Sequence, residues 1–157
     1  MEETTGSPKF LCLAYAGQMY LPAVLAAMAR HLEYWWTFAI SVADQPKPIF
    51  ARSVQAKWKP VVAFAKRPIK QAANWLADLL DGGGRDDRYH EWGQAEAEAV
   101  YLIRRLTEPG QLVVDPYAGG GAFLAACKAS NRRWLATERH EATALVARKR
   151  LAEMDRR

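Results

Sequence analysis

The sequence predicts an α/β fold in which strands of an open sheet alternate with helices, and three observations lead to this prediction. Apolar stretches of strand length alternate with stretches whose apolar residues recur at helical spacing. One apolar run, residues 112–114, ends in an acid, a proline and a glycine cluster directly before a helix-like stretch. The 157 residues, half of them hydrophobic, suffice for one domain with a core. We therefore expect a single domain over residues 1–157.

The first half of the chain predicts strands at residues 9–16, 34–43, 49–54 and 60–65. A helix between the first two strands has Pro22 in its first turn and apolar residues at helical spacing up to Leu32. Residues 44–48 form a loop, and the basic, aromatic Lys57-Trp58-Lys59 joins the last two strands. A helix opens at Pro68 and runs to Leu80.

The second half predicts three helices and two strands after a glycine-rich linker at residues 81–87. One helix begins at Gln94 and ends before Pro109-Gly110. The strand and glycine turn follow, then a helix to about Ser130, a strand at residues 134–137 and a last helix that includes Met154. We divide the expected domain into strands at residues 9–66, a helical and glycine linker at 68–88 and a part at 89–157 that contains the glycine turn.

Charge and composition restrict the class of protein. The net charge of +5 and the pI near 9.4 are mild evidence for a polyanionic partner such as nucleic acid. Part of the basic excess lies at residues 148–157, where a solvated helix face explains it equally well. Cys12 and Cys127 lie in apolar stretches and are expected to be reduced core residues.

The chain shows no sign of a metal site or a membrane anchor. Its three histidines lack cysteine or acid partners at ligand spacing, so we expect no metal. No apolar run reaches the ~18 residues of a membrane span. Residues 1–7 are acidic and polar, unlike a signal peptide. We expect a cytoplasmic protein that does not bind membranes.

The glycine turn is the best candidate binding site. Glycines allow φ > 0 and close approach of a ligand to the backbone, and nucleotide-like ligands bind at such strand-to-helix turns. A plain structural corner remains the alternative. The predicted binding residues are Asp115, Pro116, Tyr117, Ala118, Gly119, Gly120 and Gly121.

Two acids narrow the ligand class. Glu138 ends the next strand about 20 residues beyond the turn, where a nucleotide site places an acid on the ribose hydroxyls, although a solvated strand end is the alternative. The turn lacks the third glycine of a dinucleotide fingerprint and the Gly-Lys-Ser/Thr of a phosphate loop. Asp115 at its mouth repels phosphates and favours a cationic ligand with hydroxyls. S-adenosylmethionine (SAM) fits this description, whereas ATP does not.

These residues resemble a known family. The run Val113-Val114-Asp115-Pro116-Tyr117-Ala118-Gly119-Gly120-Gly121, followed by Trp134-Leu135-Ala136-Thr137-Glu138, is similar to the amino-group DNA methyltransferases, which methylate adenine N6 or cytosine N4. Tyr117 stands where the family usually has Phe, and Gly120 where it has Ser. The resemblance implies a Rossmann-like, SAM-dependent methyltransferase sheet in circularly permuted order, with SAM as cofactor and double-stranded DNA with a flipped target base as partner.

Two further segments support the resemblance, which spans residues 9–151. The segment that contains His90, Trp92 and Gln94 is similar to the one that closes over the methionine end of SAM in permuted members. A helix-preceding loop with a core tryptophan is the alternative for this segment. Residues 58–66 resemble the family's penultimate strand. Lys57, Trp58 and Lys59 either approach DNA or form an ordinary turn with lysines extended along the surface.

The family's catalytic motif is not found. It consists of Asp, Asn or Ser followed by Pro-Pro and an aromatic residue, which hold a flipped base. None of the eight prolines of this chain is adjacent to another, so the catalytic residues are unknown. We therefore expect an incomplete sheet. The chain is then a truncated reading frame, one half of a split enzyme or a degenerate SAM binder. Such a sheet exposes unpaired strand edges, so we expect association with itself or with a second chain that supplies the missing strands, or poor solubility. Methylation of RNA or a small molecule remains an alternative.

Overall fold

A computed structural model of the chain describes residues 10–42, 46–66, 75–82 and 96–156. The chain divides into two compact units, residues 1–81 and 82–157. The division falls at Asp81–Gly82, where the sequence predicts the start of the glycine linker.

The first unit contains a four-stranded sheet in the order β1-β5-β2-β6. Its described elements are β1 (Phe10–Tyr15), α1 (Leu21–Met28), β2 (Glu33–Ser41), β3 (Lys47–Ile49), β4 (Val54–Ala56), β5 (Trp58–Lys66) and β6 (Leu79–Asp81). Strands β1 and β2 both pair antiparallel with β5, and β6 pairs parallel with β2. The first two strands, α1 with Pro22 in its first turn, and β5 confirm the sequence prediction.

The core of the first unit lies on β5 and β2. Residues 61–65 of β5 are all at most 4% exposed, and Phe38 and Ile40 of β2 are equally buried. A strand that is buried on both faces has a continuous apolar sequence, because no position faces water. This explains the run Val61-Val62-Ala63-Phe64-Ala65. Phe64 packs edge to face with Tyr34, with ring centroids 5.7 Å apart.

The prediction of one strand over residues 49–54 is wrong. The structure places a hairpin there, in which β3 and β4 pair antiparallel and a 3-10 turn over Phe50–Arg52 connects them. Ser53 has a left-handed φ of +50° and donates its amide to the carbonyl oxygen of Phe50 at 3.2 Å, which closes the turn. The apolar pattern did not reveal this reversal, because the apolar residues 49–51 and Val54 are separated by only two polar residues. The six residues therefore resemble one continuous strand.

The helix predicted to run from Pro68 to Leu80 is wrong at its end. Leu79–Asp81 forms strand β6 instead, and residues 75–77 are irregular. The edge of β2 offers backbone groups for pairing, and the amide of Ala39 donates to the carbonyl oxygen of Asp78 at 2.7 Å. Residues 67–74, which carry the start of that predicted helix, lie outside the described part of the chain.

The second unit contains a parallel two-stranded sheet and three helices. Its elements are α2 (Glu96–Leu106), β7 (Leu112–Asp115), α3 (Ala122–Ala129), β8 (Arg133–Ala136) and α4 (Glu141–Met154), in the order that the sequence predicts. Helix α3 packs against both α2 and α4, and its Ala125, Ala126 and Cys127 are at most 1% exposed. Both cysteines of the chain are free thiols, as expected, with Cys12 only partly buried.

A buried arginine ties the elements of the second unit together. Arg132, 8% exposed, donates to the carbonyl oxygens of Ser130 and Thr107 and, at 3.0 Å, to the hydroxyl of Thr107. It thereby joins the end of α2 to the connection between α3 and β8. A buried guanidinium is stable only when its donors are satisfied, and these three carbonyl and hydroxyl acceptors meet much of that need.

Candidate functional site

The site predicted from the glycine turn is built where β7 and β8 end side by side. The two strands are parallel, with Leu112 opposite Arg133 and Asp115 opposite Ala136. Because carboxyl ends of parallel neighbours meet at one edge of a sheet, the turn after Asp115 and the segment after Ala136 lie together. This register explains why two acids 23 positions apart in the sequence, Asp115 and Glu138, share one edge.

The turn requires glycine at two positions. Gly119 and Gly121 have φ of +52° and +77°, a conformation that residues with a Cβ rarely adopt. At Gly121, the N-cap of α3, a Cβ would also lie 2.9 Å from the Cβ of Ala147 on α4. The amide of Gly121 donates to the carbonyl oxygen of Ala118 at 2.9 Å, which closes the turn before α3 begins.

Thr137, a residue that the sequence analysis did not single out, holds the turn against the end of β8. Its amide donates to the carbonyl oxygen of Asp115 at 3.0 Å, and its carbonyl oxygen accepts from the amide of Ala118 at 3.0 Å. Its hydroxyl donates to the carbonyl oxygen of Pro116 at 2.8 Å. The sequence offered one signal for this role, namely that Thr137 carries a hydroxyl and directly precedes Glu138.

Glu138 uses both carboxylate oxygens to organise the backbone around it. Oε2 accepts from the amide of Gly119 at 3.0 Å, and Oε1 accepts from the amide of His140 at 2.9 Å. The bonds from His140 and Gly119 favour the charged form and hold the pKa of the Glu138 carboxyl below its usual value. Each carboxylate oxygen has a further acceptor direction, so Glu138 can also accept from hydroxyls of a ligand.

The pKa of the Asp115 carboxyl is shifted in the opposite direction to that of Glu138. Burial raises the pKa of its carboxyl, which the charge of Glu138 also raises, while the amide of Tyr117, which donates to Oδ1 at 3.0 Å, lowers it. Two neighbouring carboxylates of like charge make the edge attractive to a cation.

The Asp115 charge also reaches the interior of α3. Burial raises the pKa of the Cys127 thiol to about 11, with the charge of Asp115 adding to the effect and that of Arg132 opposing it. The thiol is therefore protonated at neutral pH, and Cys127 is a packing residue rather than a nucleophile.

The structure brings the predicted residues Asp115 to Gly121 and Glu138 together at one edge. Within the turn, Tyr117 is 86% exposed and Pro116 is also exposed, whereas Ala118, Gly119 and Gly120 are partly buried. The predicted residues His90, Trp92 and Gln94 lie outside the described part of the chain, so their role stays a prediction.

The described residues contain no group of three or more His, Cys, Asp or Glu side chains that could hold a metal ion. None of the helices described here is long and apolar enough to cross a membrane.

Comparison with known proteins places this chain in a family. The family model described as "DNA methylase" (N6_N4_Mtase) matches residues 65–149, more than half of the chain. The Escherichia coli K12 protein named "Putative methylase YubD" is 27% identical over 103 residues, which make up 66% of this chain and 41% of that protein. The chain thus spans less than half the length of this curated relative.

Solved structures share the fold. The structure of an M1.HpyAVI–SAM complex superposes with a TM-score of 0.74 at 18% identity, over 90% of this chain and 74% of that one. The PvuII DNA methyltransferase, described as cytosine-N4-specific, superposes with a TM-score of 0.72 at 18% identity, over 90% of this chain and 63% of that one. The Rossmann-like methyltransferase fold predicted from the sequence is confirmed.

Proposed function

The chain belongs to the DNA methylase family, and on that premise we propose that it binds SAM at the glycine turn and serves in methyl transfer to DNA. The acceptor would be an exocyclic amino group of adenine or cytosine, in a duplex from which the target base is flipped. In this proposal, methyl transfer is carried out either by a longer protein that includes this chain or by a complex of this chain with a second one.

One observation carries the proposal: two carboxylates frame a turn whose glycines adopt left-handed φ values. Glu138 lies within 3.0 Å of the amide of Gly119, so the acid and the turn form one structure. A phosphate at the mouth of the turn would be repelled by Asp115, whereas a ligand with a positive charge there and two ribose hydroxyls for Glu138 is complementary to the two carboxylates. Among nucleoside ligands, SAM combines these properties.

The residues of the chain have separable roles in the proposed site. Glu138 accepts from the ribose hydroxyls, Asp115 supplies negative charge at the mouth of the turn, and the glycines let the ligand approach the backbone. SAM, when bound, supplies a methyl group activated by its sulfonium. The SAM present in the M1.HpyAVI structure, a protein with the same fold, supports the choice of ligand.

A second candidate function follows from the prolines. None of the eight is adjacent to another, so this chain does not contain the Pro-Pro-aromatic motif that holds the acceptor base in the family it resembles. This favours a SAM-binding protein that does not transfer methyl groups by itself, or one subunit of a split enzyme.

Calorimetric titration of the full chain with SAM tests the proposal. We expect binding in the micromolar range and no heat with ATP. Glu138→Gln should weaken SAM binding about tenfold or more, because hydrogen bonds to a charged group are lost. Glu141→Gln, which removes the same charge at an exposed position at the start of α4, is the matched control and should bind as the wild type does.

The outcomes separate the candidate functions. No heat of binding at high micromolar SAM, or equal affinity of the two glutamine variants, overturns the proposed site. Binding together with transfer of tritiated methyl groups to duplex DNA supports the methyltransferase. Binding without transfer supports the second candidate.

Thr137 provides a test of how the turn is held. Thr137→Val removes only the hydroxyl bond to the Pro116 carbonyl oxygen and should weaken SAM binding about fivefold, the effect of one hydrogen bond. Thr137→Ser keeps the hydroxyl and should restore most of the affinity. If serine and valine behave alike, the hydroxyl does not position the site.

A further inference from the structure

The hairpin formed by β3 and β4 is a separate two-stranded ribbon. Lys47 pairs with Ala56 and Ile49 with Val54, while the described strands of the four-stranded sheet pair only among themselves. The turn at its tip, Phe50–Arg52 with Ser53 in a left-handed conformation, is well defined by the bond from the Ser53 amide to the Phe50 carbonyl oxygen.

This part of the chain accounts for the net positive charge of the protein. Residues 46–66 contain no Asp or Glu and five basic residues, Lys47, Arg52, Lys57, Lys59 and Lys66. The other 136 residues contain 17 Lys or Arg and 17 Asp or Glu, so their charges balance. Of these five, Lys47, Arg52 and Lys57 lie on the hairpin or directly after it, whereas Lys59 and Lys66 lie on β5. A local cationic excess of this kind attracts a polyanion.

An aromatic residue lies at the tip between these cations. Phe50 is 87% exposed and Val54 is 51% exposed, in contrast to the buried Phe38 and Phe64 of the same unit. Burying Phe50 would remove a large apolar surface from water, which makes it a residue that a partner can cover. Arg52, in the same turn, and Lys57, directly after β4, are both exposed.

Lys59 is not counted in this surface. Its ammonium lies 5.4 Å from the centre of the Tyr15 ring, so it packs within the unit. Trp58 and Lys59 belong to strand β5, so the prediction of a turn over Lys57-Trp58-Lys59 is wrong for these two residues. The exposed cations relevant to a partner are Arg52 and Lys57.

We propose that the β3–β4 hairpin binds duplex DNA, with Arg52 and Lys57 on the phosphates and Phe50 against the bases in a groove. The major groove, about 12 Å wide, admits a two-stranded β-ribbon. An exposed Phe on such a ribbon can make an apolar contact with a thymine methyl group at the base edges of this groove. The choice of DNA over other polyanions rests on the proposed function, whereas the position of the surface rests on the charge and exposure of this hairpin.

Fluorescence anisotropy with the full chain and a labelled duplex of about 25 base pairs tests this inference. The double variant Arg52→Gln/Lys57→Gln should weaken binding about tenfold or more and reduce the salt slope of log K by about 2, because two phosphate contacts are lost. The matched control is Arg148→Gln/Lys149→Gln, which removes one exposed arginine and one exposed lysine from α4 and should leave affinity and slope almost unchanged.

The aromatic residue is tested in the same assay. Phe50→Ala should weaken binding about fivefold or more, and Phe50→Trp should retain it, because the larger aromatic ring still offers an apolar surface to the base edges. Tyr20→Ala is the control, since Tyr20 is also largely exposed, at 72%.

The results have separate consequences for the two proposals. Equal DNA affinity of the hairpin and α4 double variants, or no DNA binding by the wild-type chain, overturns the hairpin assignment. Either result leaves the SAM site to be judged by calorimetry, which requires no DNA. Stronger binding of single-stranded RNA than of duplex DNA would also contradict the inference.

Discussion

Two strands of this protein show how differently a stabilising strand and a site strand are built. Residues 61–65 of β5 are at most 4% exposed on either face, whereas Leu112 and Val114 of β7 are 51% and 59% exposed. The first unit is held by apolar burial on its central strand. The turn after β7 is held by backbone hydrogen bonds and by glycine geometry. Stability and candidate chemistry therefore depend on different forces, and substitutions should separate them.

The largest effect is expected on β5. Phe64→Ala should reduce the free energy of unfolding by about 3–5 kcal/mol, because it removes a fully buried ring from a packed core. Urea denaturation followed by tryptophan fluorescence measures this loss. Phe50→Ala makes the same change at an 87% exposed position and should cost less than about 0.5 kcal/mol. A loss below about 1 kcal/mol for Phe64→Ala would show that β5 is not the stabilising centre.

An intermediate effect is expected in the glycine turn. Gly121→Ala should cost about 2–3 kcal/mol, because it adds a steric clash with Ala147 to a left-handed backbone. Gly110→Ala is the control: its φ is +81°, but a Cβ there meets no atom within 4 Å, so only the backbone cost of about 1 kcal/mol remains. Thermal unfolding of both variants measures the difference. Equal losses would mean that α4 does not constrain the turn.

The smallest effect concerns Asp115. Its pKa is raised by burial, so protonation favours the folded state, and the charged carboxyl lowers stability above its ordinary pKa of 3.8. Asp115→Asn keeps an acceptor for the Tyr117 amide and should slightly stabilise the protein at pH 7, while weakening SAM binding.

The difference in unfolding free energy between Asp115→Asn and the wild type should depend on pH. The stability advantage of Asp115→Asn should shrink as the pH falls from 7 and vanish below about 3.8, where the wild-type carboxyl is protonated in both states. Urea midpoints measured across this range test it, with the exposed Glu33→Gln as the control. An advantage that stays constant with pH would contradict the argument.

The sequence predicted much of the candidate site because the site depends on local patterns. An apolar run that ends in Asp115, followed by glycines and a helix, specifies a strand, a turn and a helix within about a dozen residues. The distance to Glu138 follows from the length of one helix and one strand. Helix α3 and strand β8 were predicted for the same reason, since their periodicity lies in neighbouring residues.

The prediction was wrong where the structure depends on partners far apart in the chain. The hairpin at residues 47–56 and strand β6 were missed because a strand of three residues has no period to detect and exists only through its pairing. Strand β6 owes its conformation to the edge of β2, about 40 residues earlier.

By itself, the sequence determined the order of the elements, the positions of Asp115 and Glu138, and the need for glycine in the turn. Only the tertiary structure decided how the turn is held, through Thr137 and both carboxylate oxygens of Glu138, and that Phe50 and Arg52 lie exposed in the turn of a hairpin. The physical reason is that helix and strand periodicity is written in adjacent side chains, whereas hydrogen bonds between segments and the exposure of a side chain depend on what the rest of the fold places beside it.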